Sequence, residues 1–124
     1  MYETELRKAK ALETESWKDS ESMDRLWPEV VAVLEDVLEQ DPQNVIALTN
    51  LGAMYSNLGR YEEALGLLDK AEGMNFKDRN LFNNKGIVFV NLKREDEARK
   101  YFKTASKMEP HELTFEAYID FHAL

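Results

Sequence analysis

The sequence predicts an all-α fold, a right-handed solenoid of stacked antiparallel helix pairs with about seven helices. Three observations carry this. A block of the chain recurs after 34 residues with no gap, so that residues 50–71 lie over 84–105. Each copy contains two apolar stripes at helical spacing. The whole chain, at 124 residues, is sized for one domain with one core, giving a single domain over 1–124.

The elements follow in chain order. Residues 3–18 read as a helix, the degenerate first half of a unit at 11–44 in which Lys18 and Glu21 stand at the glycine and tyrosine positions of the later copies. Residues 20–24 are expected to form a loop with Asp24 as the cap of the next helix. That helix covers 28–42: Trp27, Val30, Leu34 and Val37 fall opposite Tyr61, Ala64, Leu68 and Ala71, and Pro28 is tolerated in the opening turn.

The unit at 45–78 is well formed. Leu48, Leu51 and Tyr55 make the stripe of its first helix. Gly52 lies within that stripe, where a glycine costs about 1 kcal/mol relative to alanine, so it marks close approach of the partner helix. Ala64, Leu68 and Ala71 make the second stripe. The unit at 79–112 repeats this with Gly86, Phe89, Ala98, Phe102 and Ala105. From about Leu113 a further helix over 113–124 is expected to cap the array, with Leu113, Phe115, Tyr118, Ile119 and His122 at helical spacing.

These positions, together with the Asp-Pro-Gln-Asn at 41–44, the Gly-Arg-Tyr-Glu-Glu-Ala-Leu at 59–65 and the Met-Glu-Pro at 108–110, resemble the tetratricopeptide-repeat family. Three residues depart from its pattern: Lys85 replaces an apolar residue, Glu95 an aromatic and Phe76 a proline.

Composition narrows the function. The absence of cysteine excludes disulfides, thiolate metal sites and a cysteine nucleophile. A net charge of −8 argues against nucleic acid, which needs a concentrated basic patch. The excess is uneven: residues 1–42 hold twelve acids against five bases. No apolar run reaches the roughly 20 residues of a membrane helix, and the opening residues lack the apolar core of a secretory signal. A soluble, cytoplasmic protein is the expectation.

No positioned chemistry emerges. His111 and His122 are too far apart along one helix, about 16 Å, to chelate one metal ion. The run Glu95, Asp96, Glu97 suits a helix start. Trp17, Trp27 and Tyr61 at helical spacing read as core, not as an aromatic cage. The expectation is a protein without catalysis, cofactor or metal.

The resemblance implies a superhelix whose concave face is lined by the first helix of each unit and receives partners as extended peptides. Carried over by register, the groove positions are Ile46, Thr49, Asn50, Ala53, Ser56 and Asn57, then Asn80, Asn83, Asn84, Ile87, Val90 and Asn91. Six are asparagine and none is charged, a face suited to peptide backbone and apolar side chains. The cationic clamp by which some family members grip acidic chaperone tails is missing: Glu15, Asp19, Asn80 and Asn84 occupy four of its places. A neutral or basic partner segment is therefore expected, held by an adaptor or scaffold module. The alternative is self-association through the last helix, where Tyr118, Phe121 and Leu124 fall outside the packing stripe.

Overall fold

The computed structural model describes residues 1–118. Six helices form among them: α1 (Glu3–Ser16), α2 (Ser20–Gln40), α3 (Val45–Asn57), α4 (Tyr61–Gly73), α5 (Arg79–Asn91) and α6 (Glu95–Ala105). None is long and apolar enough to cross a membrane. The helices pack as the pairs α1–α2, α3–α4 and α5–α6, and α2 against α3 and α4 against α5 join the pairs into a stack.

The 34-residue repeat reappears as geometry. The first helices of the two later pairs open on a side-chain cap: Asn44 accepts from the Ala47 amide at 3.0 Å and Asp78 from the Leu81 amide at 3.0 Å. Arg60 and Arg94, one repeat apart, precede the second helices. Each pairs with the glutamate three residues on, at 2.7 Å, and lies over an aromatic ring, Tyr55 at 4.0 Å and Phe89 at 4.7 Å. The matched glycines sit where helices cross. A Cβ on Gly52 would stand 2.7 Å from Leu68 Cγ, and one on Gly86 would stand 2.5 Å from Phe102 Cε1.

The departure at Lys85 is compensated locally. Its side chain is 4% exposed, and its Nζ meets Asp69 at 2.5 Å, Glu72 at 2.6 Å and the Tyr101 hydroxyl at 3.1 Å, tying α4, α5 and α6 together. Burial alone would lower the pKa of this ammonium, but the bonds to Asp69, Glu72 and Tyr101 outweigh it and the net shift is upward.

Two expectations are corrected. Residues 20–24 are the first turns of α2 and not a loop; the cap is Asp19, which accepts from the Ser22 amide at 2.7 Å, in place of Asp24. Pro28 consequently lies inside α2. It cannot donate to the Asp24 carbonyl, but both residues are exposed, so water can serve that group. Secondly, residues 113–118 are not a seventh helix. After α6 the chain turns at 112–113 and continues without helical structure to 118. Phe121 and Leu124, and the remainder of the expected helix, lie outside the described residues.

Candidate functional site: an asparagine ladder on the concave face

The first helices α1, α3 and α5 line one face of the stack, and residues 111–118 run along it. Asp78 sends the chain there. While one of its carboxylate oxygens caps α5, the other accepts from the His111 amide at 2.6 Å and from the Thr114 hydroxyl at 3.3 Å. His111 Nδ1 accepts from the Leu113 amide at 3.0 Å, which fixes the turn.

Beyond the turn the backbone is held by side-chain amides. Asn50 donates to the Leu113 carbonyl at 2.9 Å and accepts from the Phe115 amide at 2.7 Å. Asn84 does the same two residues on, donating to the Phe115 carbonyl at 2.9 Å and accepting from the Ala117 amide at 2.7 Å. A carbonyl at i and an amide at i+2 point the same way in an extended strand, and one carboxamide satisfies both. Asn50 and Asn84 are 0% exposed, so each pairing is made out of water, where an unmade bond is expensive. Asn80 donates to the Thr114 carbonyl and hydroxyl at 3.2 and 3.0 Å, Asn83 donates to Glu116 at 3.1 Å, and Asn57 accepts from the Tyr118 amide at 2.7 Å.

Apolar side chains fill the space between the rungs. Phe115 is 0% exposed, and with Leu113 and Ala117 it joins the cluster formed by Leu6, Ala9, Ala53 and Ile87. The wall opposite α5 is α1. Lys10 Nζ donates to the Thr114 carbonyl at 3.1 Å and stands 5.5 Å from the Phe115 ring centre, Arg7 pairs with Glu112 at 2.9 Å, and the Trp17 ring lies 5.9 Å from Tyr118. Glu13 supports this wall: it accepts from Trp17 Nε1 at 2.6 Å and lies 3.9 Å from Lys10. Burial pushes its carboxyl pKa up, against the opposing pull of Trp17 and Lys10.

Of the twelve positions assigned to the groove by register, five asparagines touch the segment directly. Asn91 instead donates to the Ile87 carbonyl of its own helix at 3.0 Å. Thr49 bonds back to the Val45 carbonyl at 2.8 Å, and the Ser56 hydroxyl is buried with no partner. Ile46 lines an open cleft of about 430 Å³ with Leu6 and Leu113, at the end where the segment enters. Val90 lies elsewhere, with Ala98 and Phe102 around a separate cleft of about 380 Å³.

Sequence reasoning missed Arg7, Lys10, Glu13 and Asp78. For the three on α1 the cause is the first pair: α2 begins seven residues before Trp27, so the register extrapolated from later units placed Glu15 and Asp19 on the groove. Asp19 is in fact the α2 cap. Trp17 and Trp27 meet edge-on at 5.7 Å, while Tyr61 packs in the second core cluster around Leu68, so the three form no cage. Among the described residues no group of three His, Asp or Glu side chains is placed to hold a metal ion.

Two family models, both described as tetratricopeptide repeat, match residues 33–66 and 80–112, together more than half of the chain. No curated protein matches it.

Proposed function

Because the chain belongs to the tetratricopeptide-repeat family, whose repeats indicate a protein–protein interaction module, we propose that its concave face binds an extended segment of a partner protein. The role is that of an adaptor or scaffold, without chemistry on the bound chain. One observation carries the reading: Asn50 and Asn84, at the same place in successive repeats, already hold a peptide backbone two residues apart. Neither contact depends on the side chain of the bound residue. The same two rungs can therefore hold another segment in the same extended form.

The test is selection of peptides from a displayed random library on a Phe115→Ala chain, whose own segment is weakened in the groove, followed by affinity measurement against the same chain carrying Asn50→Ala and Asn84→Ala. The asparagine substitutions remove four backbone pairings worth about 0.5–1.5 kcal/mol each, so selected peptides should bind about 30-fold to about 20,000-fold more weakly. Because residues 113–117 lose the same pairings, circular dichroism first establishes that the substituted chain keeps its helices. Equal capture by parent and variant would rule out the groove as the binding surface.

A further inference from the structure

Resting on the groove reading above, we infer that the groove selects an extended segment with a hydroxyl residue, an aromatic, a spacer and a small residue in succession. Residues 113–118 are its resident copy, which a partner of the same pattern must displace. The occupant supplies the evidence for both parts. If the rungs read only backbone, the choice among sequences falls to the side chains between them, and three of these are closely matched. Phe115 is the largest fully buried side chain in the chain and has α1 and Lys10 as a roof. Thr114 is 1% exposed, with its hydroxyl accepting from Asn80 and donating to the buried Asp78 carboxylate, so an aliphatic residue there would take one buried hydrogen bond from each. Ala117 is 6% exposed beside the Asn84 rung, with little space for a larger side chain.

The charges on the occupant lean the same way. Glu112 meets Arg7, and Glu116 meets Asn83, so acidic residues flank the pattern on the segment while the groove supplies the cation. These contacts are exposed and contribute orientation more than affinity. The partner is thus neutral to acidic, where Glu15 and Asp19 led to an expectation of neutral or basic.

Displacement is the second half of the inference. The segment is joined to α6 by a short connection, so it competes at an effective concentration in the millimolar range. A partner in trans meets an occupied groove and binds with the difference between its own affinity and that of the resident copy.

The experiment uses the full chain, a Phe115→Ala variant that weakens the resident copy without altering the groove wall, and a synthetic peptide of residues 112–118. The variant should bind this peptide at least 10-fold more tightly than the parent does. Peptides carrying the equivalents of Phe115→Ala, Thr114→Val or Ala117→Leu should each lose 10-fold or more. If the Phe115→Ala chain loses its helical circular dichroism, Ala117→Arg replaces it, since it expels the same end of the segment while sparing the core beneath Phe115. Equal binding by parent and variant overturns displacement. Equal binding of all four peptides overturns the selectivity while leaving the groove reading intact. No binding of any peptide, the library included, overturns both. A parent that is dimeric and becomes monomeric on Phe115→Ala assigns the groove to the segment of a second copy and likewise overturns the proposal.

Discussion

Three glycine-to-alanine substitutions test whether close helix approach explains the glycines of the repeat. Gly66 lies exposed inside α4, and a Cβ there would meet nothing within 4 Å. Gly66→Ala should therefore deliver the helix-propensity gain alone, about 1 kcal/mol. Gly52→Ala carries the same gain, but its Cβ would stand 2.7 Å from both Cγ and Cδ2 of Leu68, a side chain that is 0% exposed. Leu68 has no open space to enter, and overpacking of a closed core costs about 1–3 kcal/mol. The net effect is a loss of up to about 2 kcal/mol. Gly86→Ala meets the Phe102 ring at 2.5 Å, but that ring is only half-buried and borders the open cleft beside Val90. It can swing outward, so gain and loss nearly cancel.

Urea denaturation reads all three. With a slope of about 2 kcal/mol/M, Gly66→Ala should raise the midpoint by about half a molar and Gly52→Ala should lower it by up to about 1 M, with Gly86→Ala near the parent. The order matters more than the sizes. If Gly52→Ala stabilises as much as Gly66→Ala, the helices at that crossing are not closely packed and the physical reason given for the glycine is wrong.

Further predictions concern the polar groups. Lys85→Met should change stability by less than about 1 kcal/mol, because Asp69 and Glu72 keep water access and a buried pair often yields to a hydrophobe at no loss. Lys85→Ala, which also opens a cavity, should cost about 2 kcal/mol or more in the same titration. Asp19→Ala should cost about 1 kcal/mol as a lost cap, while Asp24→Ala should stay within about 0.5 kcal/mol; thermal melts separate the two. Glu13 has a raised folded pKa, so its proton is held more tightly in the folded chain. Its contribution is full below the ordinary carboxyl range, about 4.3, and is lost as pH rises through the folded value. The stability of Glu13→Gln relative to the parent should accordingly improve from about pH 4 to pH 7, and paired melts across that range check the sign.

The helix pairs were legible because each is specified twice. Leu48, Gly52, Leu68 and Ala71 predict a packing that Phe82, Gly86, Phe102 and Ala105 state again one period later. The first pair lacks that redundancy. Asp19 and Asp24 are equally good caps by residue type, and only the packing of Ser22 and Leu26 in the buried face of α2 decides between them. The asparagines were legible as an uncharged face, but their occupant was not. Residues 113–118 fit both a period of 3.6, through Leu113 with Ala117 and Phe115 with Tyr118, and a period of 2, through Leu113, Phe115 and Ala117. A six-residue run cannot decide between these locally. Pairing to Asn50 and Asn84, some 30 to 65 residues upstream, settles it. The alternation of buried Phe115 and Ala117 with exposed Glu116 and Tyr118 was the available signal.

The ladder has two rungs and not three because the first pair departs from the repeat. α1 ends at Ser16 as α3 ends at Asn57, so the α1 residue that matches Asn50, seven before the helix end, is Ala9. Ala9 is 0% exposed and has no polar side chain, and α1 contains neither asparagine nor glutamine, so the first unit offers no carboxamide to a bound backbone. Lys10 and Arg7 reach across in its place, with long side chains that make single contacts. Two rungs span two dipeptide steps, about 13 Å of extended chain, which fixes backbone position over Leu113 to Ala117 and little beyond. So short a track gives modest affinity, and sequence discrimination has to come from the closed sockets around Thr114, Phe115 and Ala117. The same shortness is what makes displacement feasible. A ligand that replaces the resident copy remakes four backbone pairings that the groove has already made once. It should therefore stabilise the fold by the difference between the two occupants, so a tightly bound partner raises the melting temperature far less than its affinity for an empty groove would imply.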